Sequence, residues 1–202
     1  MSSPTLTCTL LDDLRSVNRS CFFAELYYQT TKSINNQLQS QDEVTSRLTL
    51  RFQNKFADYF LQPSNSSEWQ AYYTDRLYPL QYRLLGINAH INGDMWQALI
   101  ECFDQNELEL YAEKLLAFQL AISQVYTHYY ELAIKENATF RKIHFYTCGL
   151  SKKAGLYYLC YCRLQQVKLA LLYYKDRKRF NRKLNRLKAK KKWLDQCILS
   201  IF

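Results

Sequence analysis

Apolar residues recur at helical spacing along almost the whole chain. After a short helix over about residues 9–17, the pattern predicts a second helix over about residues 19–39, with Phe22, Phe23, Leu26, Tyr27 and Ile34 on one side. A third, to about residue 61, turns Leu48, Phe52, Phe56, Tyr59 and Phe60 inward. Ser40-Gln-Asp-Glu43 has the spacing of a capping box and would open it. Pro63–Ser67 reads as a loop. A fourth helical stretch begins near Ser67 and runs to about residue 103; Pro79 either kinks it or opens a separate helix. Asp104-Gln-Asn-Glu107 is a second capping box. It leads into a helix to about residue 136, with Leu108, Tyr111, Leu115, Ile122, Val125, Tyr129 and Leu132 in period. Residues 137–150 read as a connection with room for one turn of helix. From Ser151 the chain reads as helical almost to its end, Phe180, Leu184, Leu187, Leu194 and Ile198 keeping an apolar stripe.

These elements predict an all-α fold: a bundle of five to seven helices around a central buried helix at about residues 78–103. The expected organisation is a helical core over residues 1–150, with a C-terminal helical segment, 151–202, packed on it. Only four glycines and three prolines occur in 202 residues, too few turns for a β-sandwich or an α/β fold. An apolar content of 48% excludes a disordered chain. The N-terminus has no basic n-region followed by an apolar run, and the densest apolar stretches fall short of the ~18 residues of a spanning segment. A cytoplasmic protein is the expectation. The seven cysteines are odd in number and form no CxxC, so they read as reduced.

The central helix carries the candidate chemistry, Asn88-Ala-His-Ile-Asn-Gly-Asp94. At 100° per residue from His90, Asn88 and Asn92 fall near roughly 160° and 200°, inside a wide apolar arc. One turn apart, their amides lie one above the other and need specific partners. They either fix helix register or line a small polar pocket. His90 and Asp94, at i and i+4, share another face with Arg76, Arg83, Gly86, Gln97 and Glu101. That spacing suits a shared divalent metal or an acid–base pair; the same stripe is equally a solvent-facing one with a local ion pair. Gly93 suits close approach of another element or a ligand. Asp58, His128 and Glu131 are the residues that could join such a site, although His128-x-x-Glu131 also fits an exposed surface. No GxSxG, HExxH, Walker A or GxGxxG motif is present, and nothing in the residues decides whether the protein is an enzyme.

Gly86-Ile-Asn-Ala-His-Ile-Asn-Gly-Asp-Met-Trp-Gln-Ala-Leu99 resembles the signature helix of a bacterial family of unknown function, the domain family numbered 5995, whose members show a "GxNAHIxxDL" pattern. Phe22–Tyr27, Phe56–Phe60 and Trp69 are similar to further family features, so the resemblance spans about residues 19–103. It implies an all-helical fold and no particular activity. His90-Ile-Asn-Gly-Asp94-Met-Trp-Gln97 is also similar to the HxxGDxHQPLH motif of zinc-dependent helical nucleases and phospholipases. Trp96, Ala98 and Ile100 depart from that motif, and three histidines cannot supply a trinuclear site. What that similarity implies is at most a reduced site on His90 and Asp94.

Charge adds a second candidate. Between Lys175 and Lys192 lie eleven Lys/Arg and one acid, so the formal +9 of the chain resides in this segment. Lys175, Arg177, Lys178, Arg179, Arg182, Lys183 and Arg186 form a basic surface flanking the apolar stripe. Such a helix either contacts an acidic partner (nucleic acid, an anionic membrane or an acidic protein) or is a solvated face. The expected function is therefore binding of a small ligand or divalent metal near Asn88, His90, Asn92 and Asp94. The alternative is an interaction module built on the basic helix.

Overall fold

A computed structural model of the chain describes residues 10–14, 22–62, 67–74, 76–115 and 118–200. Among these residues the fold is all-α, with no strand. The helices are α1 (Phe22–Leu38), α2 (Glu43–Leu61), α3 (Pro79–Ile87), α4 (Met95–Cys102), α5 (Gln105–Leu115), α6 (Gln119–Glu136), α7 (Ala138–Tyr146), α8 (Leu150–Lys175) and α9 (Arg177–Ser200). Residues 10–14 are also helical; the remainder of the predicted first helix, and Pro63–Ser66 of the predicted loop, lie outside the described residues. A 3₁₀ turn, Ser67–Trp69, precedes α3, and a π-helical segment, Asn88–Asp94, joins α3 to α4. None of the described helices is long and apolar enough to cross a membrane.

Several boundaries differ from the pattern-based reading, each for a local reason. The cap of α2 is Asp42, not Ser40: the Asp42 carboxylate accepts from the Thr45 N–H at 2.8 Å and the Thr45 hydroxyl at 2.7 Å. Ser40 instead sits in the preceding turn, its hydroxyl bonded to the Gln37 carbonyl. Pro79 opens a separate helix at the first position, where its missing N–H costs nothing. The Asp104–Glu107 box forms reciprocally, Glu107 N–H to Asp104 at 2.9 Å and Asp104 N–H to Glu107 at 3.3 Å. The predicted helix to residue 136 is divided, α5 ending at Leu115 and α6 starting at Gln119. Residues 138–146, expected as a connection, form a nine-residue helix capped by the Asn137 side chain. None of its residues is fully buried, which is why apolar periodicity is weak there. Gly149, at φ +77°, supplies the left-handed turn into α8.

Two cores flank the central helix. One gathers Phe52, Phe56, Met95, Leu99, Phe103, Tyr111 and Val167 from α2, α4, α5 and α8. The other gathers Phe23, Tyr27, Phe60, Trp69, Tyr72, Leu85 and Ala89 from α1, α2, the 3₁₀ turn and α3. α8 and α9 form an antiparallel hairpin, Phe180 packing on Tyr173 near the Asp176 break and Lys190 lying over Tyr158 and Tyr161 farther along. α9 also crosses α3 and the π segment, so the middle of the central helix is enclosed on all sides.

Candidate functional site

The segment Asn88–Asp94 is held in a π turn, seen in the Met95 N–H bonding the His90 carbonyl five residues back. π turns insert a residue into an α-helix and recur at functional sites. Here Gly93 permits a close neighbour: a Cβ at this position would meet Glu68 Cβ at 2.7 Å and Cγ at 2.9 Å. Gly86 plays the same part for the Phe23 ring, which a Cβ would overlap. Asn88, His90, Asn92 and Asp94 are all buried. The solvent-facing reading of His90 and Asp94 is thereby overturned; α1, α2 and the 3₁₀ turn cover the middle of a stripe that is exposed only at its ends, Arg76 and Glu101.

One polar network ties this segment to α9. The Asn92 side-chain amide donates to Asn88 Oδ1 at 2.8 Å. Asn88 donates to the Lys191 backbone carbonyl at 3.0 Å and to Asp195 Oδ1 at 2.8 Å. Lys191, near the C-terminal end of the basic run, is itself buried; its ammonium pairs with Asp195 Oδ2 at 2.9 Å and lies 3.6 Å from Glu68 Oε2. It also donates to the Glu68 carbonyl. Asp94, 0% exposed, accepts the Trp69 indole N–H at 2.6 Å.

His90 has a different environment. Its ring lies flat on Phe56, centroids 3.4 Å apart and planes at 9°. Tyr27 stands edge-on at 4.5 Å, with Phe23 and Trp69 beyond at 5.6 and 6.0 Å. Nδ1 is 3.9 Å from Asp94 Oδ2, outside hydrogen-bond range, and neither ring nitrogen has a hydrogen-bond partner. Burial lowers the pKa of His90, with Asp94 opposing, so the ring is neutral at pH 7. Burial also raises that of Tyr27, which keeps its proton.

His90 opens onto a cavity of about 460 Å³ between α1, α2, the central helix, α6 and α8. Its wall is largely apolar, including Phe52, Phe56, Ile91, Met95 and Ile122. Four of its polar residues carry buried atoms without partners: the Tyr27 hydroxyl, both amide atoms of Gln53, Arg83 Nε, and the His90 nitrogens. Asn88, Asn92 and Arg163 also reach it. Tyr27 falls on the inward side of the second predicted helix, whereas Gln53 and Arg163 are not marked by any sequence motif. Only their placement one or two turns from aromatic core positions hints that they face inward.

Asp58, His128 and Glu131 do not join the site: all three are exposed, and Glu131 pairs with Lys152 at 2.9 Å. Among the described residues no group of three or more His, Cys, Asp or Glu is placed to hold a metal, so His90 and Asp94 have no third ligand of that kind. Of the basic surface, Lys175, Arg177, Lys178, Arg179, Arg182 and Arg186 are exposed and Lys183 is half-buried. Lys175 pairs with Glu109 at 2.6 Å, and Arg177 lies 3.4 Å over the Tyr173 ring.

No curated protein and no solved structure matches the chain. Residues 8–117 match a family profile, and the matched stretch contains α1 to α5 with the whole Asn88–Asp94 segment; the chain thus belongs to the family of unknown function DUF5995.

Proposed function

We propose that this protein binds a small, largely apolar molecule in the cavity beside Asn88–Asp94. The observation that carries this reading is the cavity itself, about 460 Å³ with unpartnered polar atoms of Tyr27, Gln53 and His90 on an aromatic wall. Protein interiors are ordinarily packed without voids much larger than a water molecule. Buried polar groups are ordinarily paired. A cavity that departs from both rules fits the pattern of a ligand pocket, apolar with a few convergent polar groups. A neutral imidazole, a tyrosine hydroxyl and a primary amide would orient the occupant by hydrogen bonds. Asn88 and Asn92 contribute by fixing the wall, since their amides are engaged with each other and with α9. Divalent metal binding is the less supported form of this reading, because the His90–Asp94 pair has no third ligand among the described His, Cys, Asp and Glu residues.

The test is titration with 1-aminoanthracene, an apolar fluorophore that brightens on entering a dry pocket. Saturable binding at one site is expected. It should be abolished by Val125→Trp, which fills the cavity from α6, in a variant whose far-ultraviolet circular dichroism is unchanged. Absence of saturable binding in the wild type, or binding that survives the filling substitution, would count against the proposal.

A second reading rests on the exposed cations of α9, which suit nucleic acid, an anionic membrane or an acidic protein. Its test is affinity for RNA or anionic vesicles at low salt, which must weaken steeply as salt is added.

A further inference from the structure

We infer that the cavity ligand carries a single negative charge, a carboxylate on an otherwise apolar body, and that Arg163 is the residue that receives it. The inference rests on the ligand-binding reading above and adds the chemical class of the ligand.

Two arginines line the cavity, and they differ in one respect. Arg83 is 8% exposed and has a carboxylate, Glu136, at 2.7 Å. Arg163 is 5% exposed and, among the described residues, no carboxylate lies within ion-pair distance of it. Its Nη1 donates to the Gln119 amide oxygen at 2.7 Å and its Nη2 to the Leu115 backbone carbonyl at 3.1 Å. Both acceptors are neutral, although the Leu115 carbonyl belongs to the C-terminal turn of α5 and brings a partial negative charge. They hold the guanidinium between α5 and α6 and occupy two of its five N–H donors. A guanidinium buried in an apolar wall is costly unless a counter-charge lies beside it.

The neighbouring groups also favour an anion. Gln53, 5% exposed, lines the same cavity with its amide N–H₂ unpartnered. The Tyr111 hydroxyl is close enough to Arg163 to feel its charge, and burial keeps that phenol protonated. Burial pulls the Arg163 guanidinium down to about 10, so it remains charged at neutral pH. One uncompensated cation calls for one anionic charge, and the planar fork of arginine matches a carboxylate in two-point contact. The apolar remainder of the wall then covers the body of the ligand.

The experiment compares decanoate with decan-1-ol, the same chain with and without the charge, by isothermal titration calorimetry on the full-length protein. Wild type is expected to bind decanoate roughly tenfold or more tightly, the size of effect that charge-assisted hydrogen bonds produce. Arg163→Met should erase this preference, and Arg163→Lys should keep part of it. If both probes bind equally well in the wild type, the charge assignment is wrong while the ligand-binding reading stands. If neither binds, the ligand-binding reading fails and this inference fails with it. The wild-type comparison needs no variant, so it remains decisive even where Arg163→Met does not fold.

Discussion

Around Asn88 each polar side chain has a partner: Asn92 bonds Asn88, Asn88 bonds Asp195 and the Lys191 carbonyl, and Lys191 pairs with Asp195 and reaches Glu68. Around His90, on the same seven-residue segment, the imidazole, the Gln53 amide and the Tyr27 hydroxyl have none, and a cavity lies beside them. Both regions are buried and both are rich in polar atoms. The first has the signature of a structural clamp, in which removing any member strands another. The second has the signature of a surface kept for something else, in which removing a member strands nothing. Stability and ligand binding should therefore separate cleanly between them.

The largest effect is expected at Lys191. Lys191→Met leaves the buried Asp195 carboxylate without its cation and should cost about 3–5 kcal/mol in urea denaturation. A loss below about 1 kcal/mol would show that the clamp is not structural. Asn88→Leu, which removes the link between the π segment and α9, should cost about 2–3 kcal/mol by the same measurement. Gly93→Ala should cost about 1–2 kcal/mol because Glu68 occupies the space of the new methyl. In an unencumbered helix the same change would gain about 1 kcal/mol, so the sign alone is informative.

The cavity side should respond differently. Gln53→Leu replaces an amide with no partners by an apolar group of similar shape. Its stability should stay within about 1 kcal/mol of wild type or rise, while decanoate affinity falls. Loss of more than about 2 kcal/mol would place Gln53 in the structural class instead. The smallest effect is a pH dependence. The folded-state pKa of His90 lies below its ordinary value of 6.5, because burial disfavours the imidazolium. Between those two values the unfolded chain binds more protons than the folded one, so stability rises with pH through that window and falls as pH drops below 6.5. His90→Phe should flatten this part of the curve; an unchanged slope would mean that His90 does not carry it.

The difference between the two regions also marks what could be read from the chain. The all-α fold, the inward faces of α1 and α2, the Asp104 cap and the burial of Asn88 with Asn92 all follow from local spacing, which a sequence displays. The clamp was half legible. Asn88 and Asn92 are conspicuous as polar residues in an apolar arc, whereas Lys191 is one cation among eleven and only its i, i+4 spacing to Asp195 sets it apart. The enclosure of His90 and Asp94 was not legible. Periodicity reports which residues share a face and says nothing of what covers that face, which here includes a 3₁₀ turn of three residues. The cavity is farther still from sequence, since residues from every helix from α1 to α9 line it and Tyr27, Gln53 and Arg163 come from three of them.

The most direct test of a ligand-facing His90 is nuclear magnetic resonance of its ¹⁵N-labelled imidazole during titration with decanoate. A saturable shift of the His90 nitrogens at one equivalent, absent for the exposed rings of His128 and for protein filled by Val125→Trp, is the expected result. Imidazole signals that stay unchanged at saturating decanoate would contradict the assignment of this cavity as a binding site.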